Sequence, residues 1–231
     1  MIVKYLIVNA DDFGRSRGIN RGILEAHRYG ILTSASLLVD APFSQEAAEL
    51  AGPARALSVG LHVDLRQELK RPAAADPRGI TDVLDSQFER FKALMGREPT
   101  HLDSHHNVHR DPRALPHFLS LAAKHGVPLR EHSLVHYLSS FYGRWNGESH
   151  PEQISLQNLS RLLEKELGPG ITELSCHPGY TDESYTGSYA FEREVELQTL
   201  CALPIRHVLS ALSIHLVSYH DLNSLAASPA A

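Results

Sequence analysis

The sequence has few cysteines and no long hydrophobic run, and each absence excludes a class of protein. Only two of its 231 residues are cysteines, Cys176 and Cys201, which is too few for the disulfide framework of a small secreted protein. This count fits a reducing compartment, so we expect a cytoplasmic protein. The longest apolar stretch, around residues 6–8, is far shorter than the roughly 20 residues that cross a bilayer. The first residues show no signal-peptide cleavage pattern, and we expect no membrane partner.

An excess of positive charge is also missing. The chain carries 22 lysine and arginine residues against 27 acidic ones, which are interspersed, for a net charge of −5. Because nucleic-acid binding relies on a basic patch or stripe, we expect no nucleic-acid partner. Histidine, in contrast, is abundant at 15 residues, several of them clustered. With 42% hydrophobic residues, the composition is typical of a globular enzyme.

Strand-length apolar runs alternate with helical patterns from one end of the chain to the other. We predict seven strands, near residues 5–9, 34–39, 58–65, 101–104, 127–130, 171–176 and 214–219. We predict helices over residues 17–29, 44–51, 83–95, 112–125, 154–167, 191–203 and 205–212, and loops over residues 66–81 and 131–152. This alternation implies parallel strands joined by right-handed crossovers. The α/β fold is therefore either a (β/α) barrel, compact or incomplete, or an open doubly wound sheet.

The domain organisation follows from the same pattern. We find no internal repeat and no linker, so we predict one domain over residues 1–222. The small and polar residues 223–231 are predicted to form a disordered tail.

Polar side chains collect where the predicted strands end. Asp11 and Asp12 follow the first strand, His62 lies near the end of the third, and His105 and His177 follow the fourth and the sixth. The carboxyl ends of parallel strands form one face, where both barrels and open sheets place their active sites. This placement predicts an enzyme.

These residue types suit metal-assisted hydrolysis. One aspartate and two histidines can bind a divalent cation and leave coordination positions open for water and substrate. Strand alternation turns His62 inward and favours His105 over His106 as a ligand. Of the pair Asp11 and Asp12, one carboxylate would bind the metal and the other would act as a general base.

Two residues close in sequence to these candidates are less favoured as site residues. His109 lies four residues after His105, the spacing of a helical metal motif, but the next helix is predicted to begin only at Asp111 and Pro112. We therefore expect His109 to contact substrate or to support the ligands. Cys176 should face away from the site if His177 enters it, because neighbouring strand residues point to opposite faces.

Four motifs resemble those of the YdjC-like carbohydrate deacetylases. They are residues 8–14 (VNADDFG), 60–62 (GLH), 100–109 (THLDSHHNVH) and 176–180 (CHPGY), in the family order. The resemblance implies a (β/α) barrel related to polysaccharide deacetylases. It also implies removal of the N-acetyl group from an amino sugar or a short chito-type oligosaccharide.

The resemblance also implies site residues and partners. It implies that Asp12, His62 and His105 bind the metal, which is usually magnesium in this family. It also implies Asp11 as the general base and His177 as the general acid. The implied partner is a small carbohydrate, and family members are often homodimers.

Alternatives stay open on metal, reaction and substrate. The ligand set accepts zinc as readily as magnesium. The protein could also be another metal-dependent amide or ester hydrolase, or a non-catalytic carbohydrate-binding protein, although Asp11 beside the metal site argues against the last. The two predicted loops should set specificity. Aromatic residues of the second loop either stack on a sugar ring or pack within the protein: Tyr137, Phe141, Tyr142 and Trp145.

Overall fold

The computed structural model describes residues 3–70, 77–185 and 187–227. Its strands are β1 (Lys4–Phe13), β2 (Ser34–Leu37), β3 (Ser58–Val63), β4 (Leu102–Ser104), β5 (Val135–Leu138), β6 (Arg144–Trp145), β7 (Glu148–Ser149), β8 (Gly170–Cys176) and β9 (Ile214–Leu216). Its helices are α1 (Arg17–Tyr29), α2 (Ser44–Ala51), α3 (Arg66–Leu69), α4 (Pro77–Met95), α5 (Leu115–His125), α6 (Leu156–Glu166), α7 (Ala190–Cys201), α8 (Leu203–Ala211) and α9 (Leu222–Ala227). Short 3₁₀ segments span His105–Arg110, Pro151–Ile154 and Tyr219–Asp221.

Seven parallel strands form one curled sheet in the order β4-β3-β2-β1-β8-β5, with β9 added beside β1. Strand β1 is long enough to serve two partners on one edge, since Tyr5 pairs with His215 of β9 and Asn9 pairs with Ser34 of β2. Its other edge pairs with β8 over seven residues. The two end strands of this order are not paired with each other in the part of the chain described here. The predicted incomplete barrel of about seven strands is confirmed.

Helices α1 and α2 agree with the prediction. Helix α1 begins where the Ser16 hydroxyl accepts a hydrogen bond from the backbone N–H of Ile19 at 3.1 Å, and it ends at Gly30. Its buried face, which includes Ile23 and Ala26, packs in the hydrophobic core. Over the described residues, no helix combines the length and the apolar character that a membrane span needs.

The predicted strand over residues 127–130 is wrong. Only Leu129 forms a bridge to Leu102, with hydrogen bonds from Leu102 N–H to the Pro128 carbonyl and from Arg130 N–H to the Leu102 carbonyl. The pairing stops because Glu131 adopts a left-handed conformation with φ +65° and turns the chain. The strand β5 instead lies inside the predicted loop 131–152, which also carries the hairpin of β6 and β7.

Three further boundaries differ from the prediction. Helix α5 begins at Leu115 because the Asp111 side chain and carbonyl hold a turn, through bonds from Arg113 N–H and Leu115 N–H at 2.9 Å each. The predicted loop 66–81 contains α3 and the start of α4, while residues 71–76 lie outside the described residues. Helix α9 begins at the buried Leu222, the last residue of the predicted domain, and continues over residues 223–227 of the segment predicted as a tail. Residues 228–231 lie outside the described residues.

The barrel interior beneath the site is polar. Six of its buried polar and aromatic residues are Ser36, His101, Asp103, Arg130, Glu173 and Tyr219. The His101 ring stacks on Tyr219 at a centroid distance of 3.8 Å, and a Cβ at Gly60 would lie only 2.4 Å from that ring. A glycine is therefore required at this point of β3.

Candidate active site

Asp12, His62 and His105 come together at the carboxyl ends of β1, β3 and β4. One ligand atom from each lies within 4.8 Å of the others, and all three residues are buried. The Oδ1 atom of Asp12 lies 3.1 Å from Nδ1 of His105 and 3.9 Å from Nε2 of His62. The structure thus assembles the three residues that the sequence motifs single out as metal ligands.

Backbone irregularity at the end of β1 places Asp12. The pairing of β1 with β2 changes register between Ala10 and Phe13, and Asp12 itself has φ +69°. Such bulges re-aim a side chain at the end of a strand. As a result Asp11 and Asp12, which were expected to follow the strand, lie within its last residues and reach the same cavity.

A buried carboxylate supports His62. The Nδ1 atom of His62 lies 2.8 Å from Oδ1 of Asp103, which leaves Nε2 facing Asp12. A carboxylate behind a metal-binding histidine is a common arrangement that fixes the ring. Burial lowers the pKa of His62, but Asp103 and Asp11 outweigh burial and raise that pKa to about 9. Metal binding would therefore displace a proton from this ring.

The segment that carries His105 is held by His109. His106 and Asn107 have φ of 58° and 52°, in the left-handed region. The Ser104 hydroxyl lies 2.6 Å from Nδ1 of His109, and Nε2 of His109 lies 3.0 Å from the Glu131 carboxylate. His109 lies outside the group of candidate ligands and braces the loop, while His106 is exposed.

A second group of potential ligands consists of Asp11, His62 and Asp103. Both of its carboxylates already contact the guanidinium of Arg130, at 2.8 Å for Asp11 and 2.6 Å for Asp103. Asp103 also lies 2.8 Å from Nδ1 of His62, so the potential ligand atoms of this group are already bonded to one another or to Arg130. Asp12 contacts a guanidinium too, that of Arg193, but through Oδ2, and its Oδ1 faces the two histidines. The group formed by Asp12 and the two histidines is therefore the better metal site.

Asp11 is held by hydrogen bonds from two neighbouring side chains. Its two carboxylate oxygens accept hydrogen bonds from Arg130 at 2.8 and 3.0 Å, and Asn9 donates a third at 3.0 Å. Burial, the largest single effect, raises the pKa of Asp11, but the positive charges of Arg130 and His62 together outweigh it and lower the pKa below its ordinary value. Asp11 is therefore ionised at neutral pH, and its Oδ2 lies 4.0 Å from Nε2 of His177.

His177 directly follows β8 and lies outside the group of candidate ligands. Its backbone N–H donates to the carboxylate of Glu196 on α7, and its Nδ1 lies 4.0 Å from Oε1 of Glu196. Burial lowers the pKa of His177 to about 4, so the ring is neutral at pH 7. Cys176 is fully buried and its thiol donates to the Asn9 carbonyl at 3.2 Å, away from the cavity.

The site opens into a cavity of about 470 Å³. Three of the predicted aromatic residues line it, namely Tyr137, Phe141 and Tyr142. Trp145 does not line it, because the indole stacks on His150 at 3.7 Å. An adjoining cavity of about 480 Å³ shares His62, Arg15 and Tyr185 with the first, so the two form one groove across the site.

Several residues of the site were not predicted from the sequence. Arg193 and Glu196 lie on α7, where charged residues at this spacing are typical of a solvent-exposed face, and the sequence offers no signal for them. Arg130 is the last residue of the strand predicted over residues 127–130, and the sequence alone indicates no role for it. Glu173 could have been found, because a charged residue inside a predicted buried strand calls for a buried partner, which here is Arg130 at 2.5 Å.

Comparison with known sequences gives the family. The sequence model of the family described as YdjC-like protein matches residues 5–211. The chain belongs to the YdjC-like family. A relative from Serratia marcescens named chitooligosaccharide deacetylase is 34% identical, over 95% of this chain and 99% of its own. A relative from Brevibacillus brevis named carbohydrate deacetylase is also 34% identical, over 94% of this chain and 99% of its own.

Solved structures share the fold of this chain. An Enterococcus faecalis protein, whose name gives it an unproven cellobiose-phosphate cleavage activity, has a TM-score of 0.79 and 28% identity. The similarity covers 95% of this chain and 99% of that protein. A family 4 carbohydrate esterase from Streptomyces lividans has a TM-score of 0.60 at 13% identity, over 94% and 93% of the two chains. The YdjC-like chain therefore shares its fold with the family 4 esterases.

Proposed function

We propose that this YdjC-like protein is a metal-dependent deacetylase that hydrolyses the N-acetyl group of an amino sugar or a short oligosaccharide. The observation that carries the proposal is one cavity that holds three features together. It holds the ligand group of Asp12, His62 and His105, an ionised Asp11, and a neutral His177 4.0 Å from Asp11. The deacetylase names of the two relatives support the same reaction.

The donor set fits a divalent metal ion. Asp12 would contribute one carboxylate oxygen, and His62 and His105 one ring nitrogen each. When bound, the ion supplies Lewis-acid polarisation of the acetamide carbonyl. Imidazole nitrogens suit zinc and its transition-metal neighbours better than magnesium, which prefers oxygen ligands. We therefore propose that zinc competes well with the magnesium that the family resemblance implies.

Asp11 and His177 carry out the proton transfers. Asp11 takes one proton from the attacking water, whose oxygen forms the new bond to the acetyl carbon. His177 delivers a proton to the sugar nitrogen as the carbon–nitrogen bond breaks, and the products are acetate and a free amine. Because His177 is neutral at pH 7, its ring must first gain that proton, and Asp11, 4.0 Å from Nε2 of His177, can pass on the proton that it has taken from the water.

The groove suits a substrate with more than one sugar unit. A ring beside His177 would meet Tyr142, which lies 5.7 Å from the His177 ring, stacks on Tyr189 at 4.7 Å and is 40% exposed. The adjoining cavity beyond Arg15 offers room for a second unit. The cysteine content leads us to propose a cytoplasmic enzyme, and the family resemblance a homodimer, which light scattering after gel filtration would test.

Acetate release tests the proposal directly. Metal-free protein would be reloaded with Zn²⁺, Co²⁺, Mn²⁺ or Mg²⁺ and given N-acetylated monosaccharides, N-acetylated disaccharides and acetyl esters. We expect acetate from the N-acetylated sugars and none without metal. Release from the esters alone would favour another hydrolase on this scaffold. Sugar binding without release under every metal would make this a carbohydrate-binding protein.

Metal content should separate the three histidines. We expect His62→Ala and His105→Ala to lose most of the bound metal, because two remaining ligands anchor an ion poorly. His109→Ala should keep most of it, since His109 lies outside the ligand group. Elemental analysis of chelator-stripped and reloaded protein is the measurement. A loss in His109→Ala as large as that in His105→Ala would contradict the assignment.

Substrate stacking should depend on Tyr142 and not on Trp145. We expect Tyr142→Ala to raise KM for the best sugar about 5–30-fold with little change in kcat, because about 1–2 kcal/mol of ring contact is lost. Trp145→Ala is the matched control, since Trp145 is 43% exposed but lies outside the cavity. Steady-state kinetics on both variants decide this, and equal KM values in the two would remove Tyr142 from the substrate site.

A further inference from the structure

A buried arginine on α7 joins the two halves of the site. The Nη2 atom of Arg193 contacts Oδ2 of Asp12, and its Nη1 donates to the backbone carbonyl of His177 at 3.2 Å. The Arg193 side chain is only 3% exposed. One guanidinium therefore bonds to a residue proposed to bind the metal and to the residue proposed to act as the acid.

The surroundings of Arg193 hold the guanidinium in place. The rings of Tyr185 and Tyr189 lie 5.0 and 5.8 Å from its central carbon, within the range of cation–π contacts. Its Nε is buried and has no hydrogen-bond partner among the described residues. The side chain is thus fixed by its two terminal nitrogens and by the rings rather than by Nε.

Arg193 holds one oxygen of the carboxylate of Asp12, a residue with an unusual backbone conformation. The residue has φ +69°, a conformation that non-glycine residues rarely adopt, and it lies at a register shift. Its Oδ1 faces His62 and His105, with the partly exposed Arg15 at 3.5 Å, and its Oδ2 is bonded to Arg193. With Oδ2 held by Arg193, only Oδ1 is presented to an ion.

We propose that Arg193 is a positioning residue that holds the Asp12 carboxylate and the His177 backbone in one fixed frame. This inference rests on the proposed function for the roles of Asp12 and His177. It assigns to Arg193 more than the neutralisation of a buried charge. A single ammonium group could neutralise Asp12, whereas only the forked guanidinium reaches both Asp12 and the His177 carbonyl.

Two substitutions separate the effect of the two guanidinium nitrogens from the effect of the charge. Arg193→Gln removes the charge, and Arg193→Lys keeps the charge but offers only one nitrogen. Arg144→Gln is the matched control, because Arg144 also contacts a carboxylate of α7, Glu192 at 3.1 Å, away from the ligand group. Co²⁺ affinity of the metal-free proteins would be measured by calorimetry with a competing chelator, and kcat at saturating Co²⁺ by acetate release.

The expected result is a graded one. Arg193→Gln should bind Co²⁺ about 10–100-fold more weakly, as is typical when the partner of a metal ligand is removed. Both Arg193 variants should lose at least about tenfold in kcat at saturating Co²⁺, with KM unchanged, because His177 is no longer tied to Asp12. Arg144→Gln should match the wild type in Co²⁺ affinity and kcat.

Three results would overturn the proposal. Full kcat in Arg193→Lys would mean that charge alone suffices. A Co²⁺ affinity of Arg193→Gln equal to that of Arg144→Gln would mean that Asp12 needs no partner. Loss of cooperative thermal unfolding in both Arg193 variants would make Arg193 a structural residue. If the wild type releases no acetate from any sugar, the proposed function fails, while Co²⁺ affinity still reports on the contact between Arg193 and Asp12.

Discussion

Replacing Asp11 by asparagine will lower kcat by about 10²–10⁴-fold while the protein stays loaded with metal. Asparagine keeps the shape of the side chain and an oxygen that can accept from Arg130, which lies 2.8 Å from Asp11 Oδ1 in the wild type. It cannot take a proton from water. Because Asp11 lies outside the group formed by Asp12 and the two histidines, metal occupancy should not change.

Replacing Asp12, the adjacent residue, should reduce activity for a different reason. Asp12→Asn removes the anionic ligand, so we expect weak metal binding and partial recovery of activity as excess metal is added. Elemental analysis and kcat as a function of metal concentration, measured on both variants, separate the two roles. If added metal restores the activity of Asp11→Asn, the roles of base and metal ligand must be exchanged between the two residues. If both variants stay metal-loaded and active, the hydrolytic mechanism is wrong.

The fold was predictable because its signals are local. Apolar runs of strand length such as that of β8 alternate with amphipathic helices such as α1, whose cap at Ser16 can be identified from the sequence. The prediction failed at residues 127–130, where the left-handed turn at Glu131 ends the pairing after one bridge. Nothing in the sequence around Glu131 announces that conformation, since left-handed residues are most often glycine or asparagine.

The grouping of the candidate metal ligands was predictable for a related reason. Alternation along a parallel strand fixes which side chains point inward, and His62 and His105 lie near the carboxyl ends of neighbouring strands. The positions of Arg193 and Glu196 were not predictable, because they depend on how α7 packs over the barrel mouth. A charged helical residue is normally solvated, and only tertiary packing shows that Arg193 is buried against Asp12.

The contacts of Arg130 were likewise not predictable from the sequence. Of the substitutions considered, replacement of Arg130 has the largest expected effect on stability. Arg130 is fully buried and contacts Asp11 at 2.8 Å, Asp103 at 2.6 Å and Glu173 at 2.5 Å. These carboxylates come from β1, β4 and β8, so one cation holds together three strands under the site. Burial raises the pKa of Glu173, which indicates that one guanidinium does not fully offset three buried carboxylates.

Arg130→Met should therefore lower the free energy of unfolding by about 3–5 kcal/mol at pH 7, the usual cost of leaving a buried charge without its partner. Arg66→Met is the control, since Arg66 pairs with Asp64 at a site where its own side chain is 47% exposed. That substitution should change the free energy by about 0–1 kcal/mol. Denaturant unfolding of chelator-treated protein gives both values.

The pH dependence of this loss tests its electrostatic cause. In the wild type, Arg130 contributes to the lowered pKa of both Asp11 and Asp103. The stability it provides is therefore present above the unfolded carboxyl pKa of about 4 and is lost as pH falls towards the folded values. In Arg130→Met the same burial raises those pKa values, so protonation at mildly acidic pH removes the unpaired charges. The difference between variant and wild type should thus shrink from pH 7 to pH 4.5, whereas a loss of packing alone would leave it constant.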